Sequence, residues 1–168
     1  MKKSLISLIL LSSVGVSHCA APTPNDATTP NAPTPAGEVT GMTNDELKAL
    51  ASSYTESLMA INTELQPSNI HGSRVKTFLD KTAFEAYTNK QFPYADQTVS
   101  VKESHASESG PINRLYVMKK IKGYDSTNGD WFYAVMSTEG VASQQGKVSF
   151  CISCHTGAKA KDYLFGFE

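Results

Sequence analysis

Several things are scarce in this chain, and each shortage removes a class of function. Neither charge is in excess: 15 Lys and Arg stand against 16 Asp and Glu among 168 residues, with no long run of one sign. Nothing therefore offers an electrostatic footprint to nucleic acid or to an anionic lipid surface, and neither is expected as a partner. No apolar run reaches the ~20 residues that a membrane-spanning helix needs. There are only 3 cysteines and no second Cys pair, so a four-ligand zinc site would have to recruit His71 or His105. No internal repeat points to a solenoid or an array.

The first residues are MKKSLISLILLSSVGVSHCAA. Two lysines, an apolar run over residues 5–11 and then small residues are the parts of an export signal, which predicts a signal peptide over 1–19 and a mature chain in the periplasm or outside the cell. Cys19 falls at the cleavage zone, where a bacterial lipoprotein is acylated. His18 stands where such signals usually carry a small residue. A lipid at Cys19 is the only membrane attachment expected. Residues 20–41 hold prolines at 22, 24, 30, 33 and 35 among Thr, Asn and Ala. Such a stretch has too little apolar surface to pack and reads as a linker. One folded domain is expected over 42–168.

That domain opens with Thr43-Asn44-Asp45-Glu46, a capping-box pattern. Leu47, Leu50, Tyr54, Leu58, Ile61 and Leu65 then recur at spacings of three and four up to Pro67, which predicts one amphipathic helix. Beyond it the period changes. Residues 73–79, 98–104, 112–121 and 131–137 are rich in Val, Ile, Tyr, Phe and Thr and alternate in part, as strands do. A short helix over residues 80–89 separates the first two, and Asn128-Gly129 marks a turn between the last two. The fold class is α+β, an antiparallel sheet with an N-terminal amphipathic helix and a C-terminal cofactor-attachment segment.

That segment is Cys151-Ile152-Ser153-Cys154-His155. In Cys-x-x-Cys-His the two thiols add to the two vinyl groups of a haem, and the adjacent His lies under the iron as an axial ligand. A thioredoxin-like pair would sit after an early strand of a βαβ unit, which is absent here, and a plain disulfide would leave His155 accidental. The reading is one covalently attached haem c per chain, held by Cys151 and Cys154, with His155 on the iron. Only 13 residues follow His155, none of them Met or His, so the usual downstream sixth ligand is missing. Met118, Met136, His71 and His105 lie upstream, but a Met in such strands reads more simply as core and a His in a Gly/Ser loop as solvated. The distal position is expected to be open to a gas or a substrate.

A late motif also occurs in four-helix cytochromes c prime, which the strands contradict. Instead the chain resembles the cytochrome P-460 family, which includes the sheet-rich cytochromes c prime beta. The resemblance runs through HGSRVKTFLD, FPYADQTVSVKES, YVMKKIKGYDSTNGDWFYAV and CISCHTGAKAKDYLF. It implies oxidation of hydroxylamine or related nitrogen oxides, with electrons passed to a periplasmic acceptor, or else capture of nitric oxide on a five-coordinate iron without catalysis. It also implies that Lys102, on the strand face shared with Ser100 and Ser104, is a candidate for a covalent bond to the haem macrocycle. For the distal side it points to a cation at Arg74 or Lys76, on one strand face with Phe78. It points further to a proton-accepting carboxylate at Asp125, with Glu103 equally available. In the gas-binding branch Phe78 or Phe92 would lid the iron instead. Homodimers are frequent in the family.

Overall fold

The structure, a computed structural model, describes residues 39–166. The expected signal peptide, Cys19 and the linker up to residue 38 lie outside the described residues. Within them are seven strands and three α-helices, an α+β arrangement around one antiparallel sheet.

Helix α1 spans Asn44–Ser57, and its start is the one the sequence predicts: Glu46 N donates to Thr43 Oγ1 at 3.2 Å while Thr43 N donates to Glu46 Oε2 at 2.7 Å. Its end is a correction. The spacing predicts helix through Leu65, but Leu58 is already extended, and strands β1 (Met59–Ala60) and β2 (Gln66–Pro67) follow. The reason lies in where the apolar side chains go. A continued helix would put Leu58 and Ile61 on one face, whereas Leu58 packs with α1 on one side of the sheet and Ile61 packs on the other. Asn62 completes the switch, its side chain accepting from Thr77 N at 2.9 Å and donating to Val75 O at 3.3 Å.

Both short strands pair with β3 (Arg74–Leu79), and α2 (Lys81–Thr88) carries the chain to β4 (Val99–His105). Strands β5 (Ile112–Lys120), β6 (Trp131–Met136) and β7 (Ala142–Gly146) then add in turn, giving the order β1-β3-β4-β5-β6-β7 with β2 beside β3. Strand β7 is absent from the sequence reading because ASQQG has no apolar alternation and sits at the edge. Helix α3 (Ser149–His155) brings the chain back onto the sheet. Gly41, the last residue of the expected linker, lies close against the Phe132 ring. No helix among the described residues is long and apolar enough to cross a membrane.

Side chains alternate across the sheet, and the pairing register sorts them. Phe78 sits opposite Val101, Val101 opposite Val117 and Val117 opposite Ala134. These four form the first face, covered by Leu47 and Tyr54 of α1. The second face carries Leu79, Met118, Trp131 and Tyr133, and is covered by Ala83 of α2 and by Tyr163 and Leu164 of the tail. Each fully buried apolar side chain of this size contributes about 1.5–3 kcal/mol. Thr77, Lys102 and Tyr116, paired side by side, belong to the second face.

Candidate functional site

Helix α3 sets the chemistry in place by its own period. Residues i, i+3 and i+4 share a helix face, so Cys151, Cys154 and His155 project together. His155 is 6 % exposed. Its Nδ1 lies 2.6 Å from the Tyr163 carbonyl. That oxygen only accepts, so Nδ1 carries the proton and Nε2 keeps its lone pair. Burial pulls the imidazole down to about 4, against the Tyr163 acceptor and with help from Lys102. At neutral pH His155 is a neutral ring with one nitrogen ready to bind a metal. Burial pushes the Cys151 thiol up to about 11. Cys154 is disulfide-bonded, so a thioether at its sulfur requires that bond to be reduced first.

His155 faces a small cleft that is partly open to solvent. Its floor is the second face of the sheet, with Thr77, Ser100, Lys102, Tyr116 and Met118, and its walls are His71, Leu164 and Phe165. The rings of Tyr133 and Phe165 stand against His155 at 5.4 and 5.3 Å between centroids, and His71 is 6.1 Å away across the cleft. His71 leans on Tyr116 at 4.6 Å. Burial holds it at about 3, with the Lys102 ammonium and the neighbouring His155 acting in the same direction, so it too is neutral.

Lys102 stands in this cleft together with Ser100, with which the alternation of β4 places it on one face. Among the described residues no carboxylate lies within ion-pair distance of it. Burial, with no compensating partner, lowers its ammonium from 10.5 to about 8. A lysine in this state exposes a nucleophilic amine at neutral pH far more often than one in water.

The other expected distal residues are elsewhere, and the register explains why. Arg74, Lys76 and Phe78 do share a face, but it is the first one: Phe78 packs under α1, Lys76 lies over its ring at 5.6 Å, and Arg74 pairs with Glu108. Glu103 is on that side too, accepting from Tyr54 Oη at 2.7 Å and meeting His105 Nε2 at 3.2 Å. Asp125 accepts from Asn128 Nδ2 at 2.9 Å in the turn before β6 and does not line the cleft. Phe92 stacks on Tyr94 within the second-face cluster. Of the upstream ligand candidates, Met136 is core on the first face, while Met118 and His71 line the cleft. The expectation of a solvated His71 is therefore corrected. Thr77, Tyr116 and Tyr133 were not anticipated, although the pairing of Thr77 and Tyr116 with Lys102 would have marked the first two.

The site suits a haem. Two cysteine sulfurs, the Cys151 thiol and the Cys154 sulfur that reduction would free, stand with a neutral imidazole on one helix face and match its attachment chemistry, and Met118, Leu164 and Phe165 supply apolar walls. Thr77 Oγ1 and Tyr133 Oη, at and beside the cleft, are buried without hydrogen-bond partners. Buried polar atoms are rarely left so, which is what a site shaped around an additional group would show.

The family model of cytochrome P460 matches residues 52–166. The chain therefore belongs to the cytochrome P460 family, and haem is the cofactor that membership implies. A search of curated proteins finds no match.

Proposed function

We propose, with membership of the cytochrome P460 family as premise, that this is an exported c-type cytochrome that oxidises hydroxylamine or a related nitrogen oxide and passes the electrons to a periplasmic acceptor. Cys151 and Cys154 would hold the haem as thioethers and His155 would ligate its iron. The bound haem supplies a ligand-binding iron and a store for the electrons removed. The observation that carries the reading is Lys102, an amine buried in the cleft that holds His155 and without a counter-ion among the described residues. An amine so placed is available for a bond to the macrocycle, as the family resemblance implies.

The polar side chains of the cleft define what a small substrate meets. Thr77, Ser100 and Tyr116 offer hydroxyl groups for orientation, and Thr77 has no competing partner within the protein. With Arg74, Glu103 and Asp125 outside the cleft, proton acceptance during N–H and O–H oxidation falls to His71, whose neutral ring faces it. A general base needs hydrogen-bond reach before it needs a matched pKa, and His71 lines the cleft where a small substrate would lie.

A second reading, capture of nitric oxide without turnover, is favoured by a different observation. No carboxylate lines the cleft, and Met118, Leu164 and Phe165 give it apolar walls suited to a neutral diatomic. The visible spectrum of the holoprotein with and without hydroxylamine and an electron acceptor separates the two. The enzyme turns over, and Lys102→Ala shifts its ferrous band and removes most of the turnover. Haem reduction without turnover supports the gas binder. A low-spin spectrum indifferent to both reagents contradicts both readings and points to His71 or Met118 on the iron.

A further inference from the structure

The carbonyl that holds His155 is itself held in an unusual way. Asp162 and Tyr163 are consecutive non-glycine residues in the left-handed region, with φ of 52° and 66°. Such residues are strained and persist only where the surroundings fix them. Here four contacts converge on Asp162. Lys120 Nζ donates to its carboxylate at 2.6 and 2.7 Å, Tyr94 N donates to the same group at 2.9 Å, and Trp131 Nε1 donates to its backbone carbonyl at 2.9 Å. Lys120 also donates to Gly129 O at 3.0 Å and lies over the Trp131 ring at 5.0 Å. The next residue in the chain, Tyr163, offers its carbonyl to His155 Nδ1.

A buried ion pair is weak evidence for stability, since desolvation offsets most of its attraction; a defined geometry is a better-attested return. Lys120 and Asp162 are 13 % and 8 % exposed. The geometry they define is that of one backbone oxygen, 2.6 Å from Nδ1, the ring nitrogen opposite the one that keeps its lone pair. The partner of a ligating histidine's second nitrogen fixes its orientation and raises its basicity.

We propose that the Lys120–Asp162 pair is a positioning device for the axial imidazole and, through the Tyr163 carbonyl, sets the reduction potential of the iron. The proposal rests on the reading of His155 as the axial ligand. A tightly held acceptor makes the imidazole electron-rich and favours ferric iron; loosening it favours ferrous iron.

The test compares holoprotein variants by the iron–histidine stretching band of the ferrous state in resonance Raman, by midpoint potential and by urea unfolding. Asp162→Asn keeps a residue that tolerates the left-handed region and removes the charge, and Lys120→Met removes the pair from the other side should the first variant fold poorly. Both are expected to lower the band frequency and to shift the reduction equilibrium toward ferrous iron about tenfold, about 59 mV for one electron. Lys120→Arg is expected to restore both. Leu47→Ala, on the first face of the sheet, lowers stability and leaves both unchanged. If Asp162→Asn and Lys120→Met behave like Leu47→Ala, the proposal fails and the pair is structural. A wild type with haem attached but no iron–histidine band overturns the assignment of His155 itself, and the proposal with it.

Discussion

Burial at three side chains decides most of the site's chemistry. Lys102, His71 and His155 all lose water without gaining a counter-ion, and each shifts toward its neutral form: to about 8, about 3 and about 4. For the two histidines the consequence for stability has a definite sign. In the unfolded chain both protonate as pH falls through 6.5, whereas in the fold they stay neutral until about 4 and about 3. Over that interval the unfolded state binds more protons, so stability falls with pH, at a slope approaching about two protons. The urea midpoint of the haem-free chain is expected to drop between pH 7 and pH 5, and His71→Gln to halve the dependence; a midpoint flat over this range contradicts the burial of both rings. That Lys102 shares a face with Ser100 was legible from β4, because alternation is a local property, but that this face borders a cleft was not: the strand alone reads Lys102 as solvent-facing, and only the family resemblance singled it out. The place of His71 was not legible either, since no local signal distinguishes a loop histidine in water from one folded over a cleft.

At the scale of elements, what was legible divides along the same line. The capping box of α1 and the bodies of β3 to β6 follow from neighbouring residues, and the sequence reading placed them closely. The end of α1 does not, because Leu58 and Ile61 part to opposite faces of a sheet that only the whole chain assembles. The misplaced distal residues have the same origin. Arg74, Lys76 and Phe78 share a face as expected, but which face borders His155 depends on pairing across β3 and β4, and a strand read in isolation carries no such information. One turn makes the coupling between elements testable. Gly129 has φ of +76°, and a Cβ there would lie 2.4 Å from the Tyr163 ring. Gly129→Ala is expected to cost about 1–3 kcal/mol, read as a lowered thermal midpoint; an unchanged midpoint would show that the tail is not seated on this turn.

Taken as a whole molecule, the domain uses the two sides of one sheet differently. The side under α1 is a closed apolar core with a buried Tyr54–Glu103–His105 network. The other side is only partly covered, by α2, α3 and the tail, and the gap among them is the cleft with Lys102 and His155. In the proposed reading, haem bound there would draw on the sheet for its floor and on a short helix for its attachment. That attachment is the central claim, and peptide mass spectrometry of the exported chain after acid–acetone extraction tests it most directly. The account predicts that the peptide containing Cys151, Cys154 and His155 retains one haem. The same peptide recovered without haem from protein that has met the attachment machinery would contradict it.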